Sequence, residues 1–479
     1  MGKGKLYQTL TAVASAFGSL IMGMLYVWPS YTVSLFKSEN TTILSEPMSS
    51  TEVSLLGSLP SLGAMLGTAL AGPLIETFGR KLGGLAITLP YVLAWAIIAV
   101  SKSSTPILAA RFISGISGGG NLVYAPIFIS EVAEDSIRGS LASATIAFYG
   151  IGALTSYLLG WFFTYNNIIW LNLVVSVIGC GLLLIVAESP VYLLKKNREE
   201  DARISLAIYR GAPAKSMLIE EELSRLKHQI CPVYEMVSIT EKSEETEKEK
   251  LDAENLNFGP PQRKSGFKTL MTSPTSRRAF LVVSTVITMQ VLMGIVPVQV
   301  YAKHVFTHAD PGKADLYSVI FAVVLVAGSF VTGAIADKAG RRILIITSSA
   351  MVCICMSSLG FLLQTRLAPS WVTVAMIFVY CFCFMFGAGS IPYVLLAEVF
   401  SSEVQAVASS IIIEWVWFLN FVVLAAFTWL NEIIGIHGIF YIFAFNACIN
   451  AFLSFFFLPE TKGLSNMQIQ EIFSRNRRK

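Results

Sequence analysis

The chain has 479 residues, of which 54% are hydrophobic and 14% are charged, and its mean hydropathy is +0.64. Soluble proteins carry about 25% charged residues, so this composition excludes an ordinary soluble enzyme. The 35 basic and 31 acidic residues give a net charge of +4, which is too balanced for a nucleic-acid-binding surface. Seven cysteines without zinc-site spacing and four histidines predict neither a disulfide framework nor a metal site.

Twelve apolar runs are long enough to cross a bilayer as helices, since about 20 residues cover about 30 Å of hydrocarbon. Their approximate limits are 10–36, 52–75, 82–100, 106–130, 141–163, 166–187, 278–302, 314–336, 343–363, 370–396, 406–431 and 436–458. The first run is too long for a signal peptide and lacks a small-residue cleavage pattern, so we expect it to stay as a span. The sequence therefore predicts an all-α membrane protein with twelve transmembrane helices.

The distribution of lysine and arginine predicts the orientation. With both termini in the cytosol, 29 of the 35 basic residues lie on the inner side, as the positive-inside rule requires. The sequon Asn40-Thr41-Thr42 then lies in the first outer loop, where Asn40 can carry a glycan. We therefore expect a multi-pass plasma membrane protein with cytosolic termini.

A long polar segment, 188–277, divides the spans into six and six. It separates an N-terminal bundle, 1–187, from a C-terminal bundle with a short tail, 278–479. Within the segment, the stretches 197–210 and 219–230 predict short amphipathic helices, which makes this a cytosolic helical loop. The Glu- and Lys-rich stretch 240–264 predicts a disordered tether.

The same charged loop motifs recur in both halves of the sequence. The loop between spans two and three, 72–81, reads GPLIETFGRK, and the loop between spans eight and nine, 333–342, reads GAIADKAGRR. The acids that follow the fourth span of each half, and those that end each half, recur in the same order: Glu131 and Glu398, then Glu188 and Glu460. A duplicated six-span unit explains this repeat.

These charges suit a gate at the cytosolic mouth. Gly79 and Gly340 permit tight turns at helix ends, so the bases that follow them can reach acids on neighbouring helix ends. Such pairs would hold the mouth shut in one state and separate in the other. The predicted gate residues are Glu76, Arg80, Lys81, Glu131, Arg138, Asp337, Arg341, Arg342 and Glu398.

Together with the sequence motifs at 111–115, 290–294, 389–393 and 459–463, these loops resemble the sugar porter family of the major facilitator superfamily over nearly the whole chain. Within that family the chain is most similar to the insect facilitated trehalose transporter-like group. The resemblance implies two pseudo-symmetric six-helix bundles that rock about a midplane site. It also implies facilitative transport of a sugar (trehalose, a hexose or a related polyol) by alternating access, without a cofactor.

The resemblance implies a substrate site between the bundles. Gln290 and Asn420 match amides of spans seven and eleven, and Phe384 matches an aromatic residue of span ten. Tyr393 follows a Gly-Ser-Ile-Pro stretch, 389–392, that is able to bend the helix. It stands where the family usually has a tryptophan and still offers a face for stacking on a sugar, as Trp417 also does.

At five other positions of the family's site this chain has an apolar residue. Ile146, Val291, Val296 and Leu325 stand where the family has amides, and Met385 stands where hexose carriers often have an acid. Each sugar hydroxyl taken from water without a partner costs about 1–3 kcal/mol. We therefore do not expect tight glucose binding in the usual pose. Compared with the family, Gln405 also replaces a gate arginine, so the C-terminal half of the gate is expected to be the weaker one.

Two charged residues lie inside predicted spans. A carboxylate at the bilayer centre costs about 2.5–3.5 kcal/mol, so Glu414 should face the cavity or pair within the bundle, and it is a candidate for proton coupling. Family symporters carry an acid in span one, where this chain reads Gly-Met-Leu at 23–25. Arg111 is expected to pair with acids or helix carbonyls of the N-terminal bundle.

Two alternatives to facilitative transport stay open. One is a transporter-like nutrient sensor with little transport activity, and the other is a proton-coupled sugar symporter that uses Glu414. Because no phosphate-binding loop of the ATPase type occurs, we expect no nucleotide. The expected partners are a sugar or polyol and the lipid bilayer, without nucleic acid, metal or cofactor, and we expect a monomer that is not an enzyme.

Overall fold

The computed structural model describes residues 2–39, 41–230, 266–464 and 466–475, and their regular structure is helical throughout. The helices that form the spans of the first half are Lys3–Val27, Pro29–Lys37, Ser50–Val100, Ser104–Val132, Asp135–Phe162 and Tyr165–Ile185. Those of the second half are Pro274–Val291, Ile295–Val300, Ala302–Ala309, Ala314–Ala339, Arg341–Thr365, Ser370–Met385, Ile391–Glu398 and Ser402–Phe457. Asn40 and the predicted tether, 240–264, lie outside the described residues.

The twelve predicted spans are present, although two pairs of them run on as single helices. Nine helices of the described chain are long and apolar enough to cross a membrane. Two of these, Ser50–Val100 and Ser402–Phe457, are long enough for two spans and turn at Gly79 (φ 91°) and Gly435 (φ 69°). With these divided, and with the shorter apolar helix Ser370–Met385, the described residues contain twelve spans.

Short helices cover the face of the molecule on which both chain termini lie, which we call the terminal face. They are Pro190–Lys195, Glu199–Arg210, Met217–Ile230, Gly266–Thr272 and Asn466–Arg475. The second and third of these are the amphipathic helices predicted after span six. Gln8 of span one donates to the Tyr209 carbonyl at 2.7 Å, and the Tyr209 hydroxyl donates to the Ala187 carbonyl at 2.7 Å. These bonds hold the helix Glu199–Arg210 against the spans of the first half.

Spans seven and ten are broken near the middle of the membrane. Span seven stops at Val291 and resumes at Ile295, with Gly294 at φ 84°, a conformation that L side chains rarely adopt. Span ten stops at Met385 and resumes at Ile391, which confirms the bend predicted there, whereas the break in span seven was not predicted. Broken helices at this depth are tolerated where they line a cavity or are buried in protein.

Arg111 compensates for two prolines in neighbouring helices. Pro29 and Pro60 lack the N–H groups that would pair with the carbonyls of Leu25 and Leu56, four residues earlier. The Arg111 guanidinium is fully buried and donates to both carbonyls, from Nη1 to Leu25 at 2.7 Å and from Nε to Leu56 at 2.9 Å. The expectation of helix carbonyls as its partners is confirmed, and no carboxylate of the described residues pairs with it.

The second half contains the same kind of compensation. Pro297 leaves the carbonyl of Met293 without a helix partner at the break in span seven. The buried hydroxyl of Tyr380, in span ten, donates to that carbonyl at 3.0 Å. This bond joins the two broken spans just beside their breaks.

The two halves are closed against each other on the face opposite the termini, which we call the opposite face. Ser50 and Ser54, at the start of span two, donate to Glu432 and to the Ala425 carbonyl, each at 2.5 Å. Further bridging bonds are Lys303 N–H to Ser30 Oγ at 2.9 Å, Tyr301 hydroxyl to Val53 carbonyl at 3.5 Å and Tyr157 hydroxyl to Gln299 carbonyl at 2.7 Å. The structure is therefore shut on this face.

We expect Arg111→Met to lower the melting temperature of the detergent-solubilised protein, because it leaves two buried carbonyls unpaired at about 1–3 kcal/mol each. Pro60→Ala supplies the missing N–H to Leu56. It should therefore be more stabilising in the Arg111→Met background than in the wild type, a coupling that a double-mutant cycle of melting curves measures. Equal effects of Pro60→Ala in the two backgrounds would show that Arg111 does not serve this carbonyl.

Candidate functional site

The charges of the first half form a compact cluster on the terminal face. After the turn at Gly79, the backbone N–H of Arg80 donates to the Glu188 carboxylate at 2.8 Å, at the exposed N-terminus of the next helix. The Arg80 guanidinium binds Glu131 at 2.6 Å, and the Ser189 hydroxyl donates to the other oxygen of Glu131 at 2.5 Å. The cluster ties the end of span two to spans four and six.

The second half repeats this cluster bond for bond. After Gly340 (φ 94°), the backbone N–H of Arg341 donates to Glu460 at 2.8 Å. The Arg341 guanidinium binds Glu398 at 2.8 Å, and the Thr461 hydroxyl donates to the other oxygen of Glu398 at 2.8 Å. The internal repeat in the sequence is thus a repeat in three dimensions.

The remaining predicted gate residues differ in their placement. The backbone N–H groups of Lys81 and Arg342 donate to Glu188 at 3.1 Å and to Glu460 at 3.2 Å. Arg138 pairs with Asp135 on its own helix at 2.8 Å, Glu76 is exposed, and the side chain of Asp337 lies outside the described residues.

Every described ion pair of these two clusters lies within one half, whereas the bonds that join the halves lie on the opposite face or near mid-depth. In this state, therefore, the described pairs of the clusters fasten helices inside each half and do not bridge the mouth between the halves.

Three predicted site residues are buried polar groups with unused hydrogen-bonding capacity. Gln290, one residue before the end of the first part of span seven, is 5% exposed, and Trp417 and Asn420 of span eleven are each 7% exposed. The Gln290 Oε1, Trp417 Nε1 and Asn420 Oδ1 atoms have no hydrogen-bond partner. Buried polar atoms almost always have partners, so these groups are suited to a polar ligand or to water.

The two predicted aromatic residues of span ten are placed differently. Tyr393, at the start of the second part of the span, is 42% exposed, and its hydroxyl lies beside Gln290. Phe384, just before the break, is fully buried against Tyr380 with a ring-centroid distance of 6.3 Å. Tyr393 thus has a free face, and Phe384 supports the break.

Two residues that the sequence reasoning missed join the halves near this site. The Gln299 amide of span seven donates to the Tyr149 hydroxyl of span five at 3.1 Å. Gln299 lies in an apolar run, as Gln290 does. An amide side chain is unfavourable in such a run unless it has a polar partner, and this was the signal that could have identified Gln299. Val291 and Leu325 are buried, and because their side chains are apolar they offer no hydrogen bond to a ligand.

Glu414 binds across the boundary between the halves. The hydroxyl of Thr68, in span two, donates to the Glu414 carboxylate in span eleven. The same hydroxyl lies 3.0 Å from the Ala64 carbonyl of its own helix. The sequence predicts a cavity position or a partner within the bundle for Glu414, whereas the structure places its partner in the other bundle.

Two repeated six-span halves, closed on one face around broken spans with unpaired buried amides, define a membrane transporter of the major facilitator fold. The chain belongs to the family described as sugar (and other) transporter, which matches residues 6–473.

Known relatives and solved structures agree with this assignment. The chain is 28% identical over 470 residues to the facilitated trehalose transporter Tret1 of Polypedilum vanderplanki, covering 97% of this chain and 87% of that protein. The corresponding transporter of Drosophila virilis is 25% identical over 95% of this chain, which spans 47% of that protein. The inward open conformation of the xylose transporter XylE from E. coli has a TM-score of 0.75 at 20% identity, covering 96% and 98% of the two chains.

We expect Glu188→Gln to lower the melting temperature, because its carboxylate accepts charge-assisted hydrogen bonds at a helix N-terminus that are worth about 1.5–3 kcal/mol. Glu76→Gln is the matched control, since Glu76 is an exposed acid close to the same turn. Melting curves of the two variants in detergent test this. A Glu188→Gln protein as stable as Glu76→Gln would contradict the role given to Glu188.

Proposed function

We propose that this protein carries a sugar across the plasma membrane by facilitated alternating access. The observation that carries the proposal is the set of buried, unpaired groups on Gln290, Trp417 and Asn420, in a chain of the sugar transporter family. Amide and indole groups pair with hydroxyls, and an aromatic face packs against the C–H face of a sugar ring. Trehalose, a hexose or a related polyol is the proposed substrate, because relatives over the whole chain are named as trehalose transporters.

The terminal face is proposed to be cytosolic, since most lysines and arginines lie on that side. Closure on the opposite face then makes this the inward-facing state. The reverse movement would part the bonds that Ser50 and Ser54 make with span eleven and bring the terminal ends of the halves together. We propose that the two charge clusters keep the gate helices of each half together during this movement, and that the transporter acts as a monomer.

Gln290→Ala and Asn420→Ala are expected to raise the KM for sugar counterflow into proteoliposomes by about 5- to 100-fold, if each removes a hydrogen bond of about 1–3 kcal/mol. Asn446→Ala is the control, because this half-buried amide of span twelve bonds its own helix, to the Ile442 carbonyl at 3.0 Å. The panel is labelled trehalose, glucose, fructose and inositol, without a pH gradient.

Unchanged kinetics in both variants would remove this site. Failure of folded wild-type protein to exchange any sugar of the panel would overturn facilitative transport and favour a sensor with little transport activity.

Proton-coupled symport is a second candidate function, favoured by the bond between Thr68 and Glu414. Protonation of the carboxylate would change the strength of a hydrogen bond that joins the two halves. A titrating side chain at this position can therefore influence the balance between the two states.

If the protein is a uniporter, Glu414→Gln should leave the pH dependence of counterflow unchanged, while Thr68→Val alters the rate to a similar extent at every pH. The measurement is initial counterflow between pH 5.5 and 8. A pH dependence that is present in the wild type and in Thr68→Val, but lost in Glu414→Gln, would instead establish Glu414 as the coupling residue.

A further inference from the structure

Two buried hydroxyls of the first half, on Tyr26 and Ser61, bond no group of the described residues outside the pair. Tyr26, in span one, is 4% exposed, and Ser61, in span two, is fully buried. The two hydroxyls lie within reach of each other and have no other hydrogen-bond partner among the described residues. Each hydroxyl can both donate and accept, so a bond within the pair leaves hydrogen-bonding capacity free for a polar group from outside the protein.

Both hydroxyls lie at the boundary with the second half, next to the proposed sugar site. The Tyr26 ring packs on Trp417 across that boundary, with a ring-centroid distance of 6.2 Å and an interplanar angle of 32°. The Ser61 side chain lies beside the Tyr26 hydroxyl. Trp417, in turn, is one helical turn from Asn420, whose amide oxygen is also unpaired.

The chemistry of the pair fits a polyhydroxylated ligand. Tyrosine and serine hydroxyls both donate and accept hydrogen bonds, as sugar hydroxyls do, so either polarity of pairing is available. At the proposed site, the second half offers the unpaired amide oxygens of Gln290 and Asn420, which accept, and the indole N–H of Trp417, which donates. Between them, the two halves can therefore satisfy several hydroxyls on different edges of one sugar.

We propose that Tyr26 and Ser61 are the first half's contribution to the substrate site, where each binds a sugar hydroxyl while Trp417 packs against the ring. This rests on the proposed function and extends it, because it assigns specificity to residues outside the set that the resemblance implied. The two hydroxyls replace polar contacts that the chain lacks at Val291, Val296 and Leu325. The substrate thus binds to both halves.

Tyr26→Phe and Ser61→Ala, which remove only the hydroxyls, should each raise the KM of sugar counterflow by about 3- to 12-fold, the effect of one neutral hydrogen bond. Melting temperatures should stay near that of the wild type, since each variant loses only the bond within the pair. Monodeoxy analogues of the transported sugar supply the second readout. The analogue that lacks the hydroxyl bound by Tyr26 should bind weakly to wild type, and Tyr26→Phe should no longer distinguish it from the parent sugar.

The first half provides matched controls. Tyr124 is also fully buried, and its hydroxyl lies beside the buried hydroxyl of Ser15, as that of Tyr26 lies beside Ser61. Tyr124 packs against Gly84 and belongs to a core cluster with Tyr209 near the terminal face, away from Trp417. Tyr124→Phe and Ser15→Ala should therefore leave KM and the discrimination of deoxy sugars unchanged.

The outcomes separate this inference from the proposed function. If Tyr26→Phe and Ser61→Ala behave as the controls do while Gln290→Ala and Asn420→Ala impair counterflow, this inference is overturned and sugar transport stands. An equal rise of KM in the Tyr124→Phe control would also overturn it, because the effect would then be a general one of hydroxyl removal. If folded wild-type protein exchanges no sugar, the proposed function fails, and this inference fails with it.

Discussion

Inside a bilayer, a backbone carbonyl that loses its helix partner cannot turn to water, and much of this structure follows from that constraint. Arg111 occupies the middle of the first half because Pro29 and Pro60 each free a carbonyl within its reach. Tyr380 plays the same part for Pro297 in the second half. At these three prolines a donor on another helix pairs with the freed carbonyl. Each of these bonds holds two helices together beside a bend or a break.

The duplicated charge clusters join the helices of each half that we propose to move as one unit. Each cluster uses the same four elements: a glycine turn, an arginine, an acid at the end of the fourth span of its half and an acid after the sixth. The hydroxyl that completes each cluster comes from Ser189 in one half and Thr461 in the other. Since the described bonds of a cluster stay within its half, a rocking movement can leave both clusters intact. The bonds that must change lie between the halves.

Much of this architecture could be predicted from the sequence, because hydrophobic length and loop charge report depth in the membrane directly. The twelve spans were predicted on that basis, the repeat was predicted from recurring loop motifs, and the bend in span ten was predicted from a Gly-Ser-Ile-Pro stretch. The break before Gly294 was not, because one glycine in an apolar run carries no signal until the Phe443 ring is seen against it. The Thr68–Glu414 bond and the place of Tyr26 were likewise beyond prediction. Both depend on which helices of opposite halves meet, and hydropathy does not encode lateral neighbours.

The closure on the opposite face has a consequence for how such a protein can diverge. In four of its bridging bonds one partner is a backbone atom: the carbonyls of Ala425, Val53 and Gln299, and the N–H of Lys303. A substitution at any of these four positions, other than proline at the donor, leaves the bonding atom in place. Mutations can therefore accumulate at these four positions, and in the proposed sugar site, without removing the backbone atoms that hold the shut state. Substrate preference can drift while the mechanical cycle is inherited unchanged.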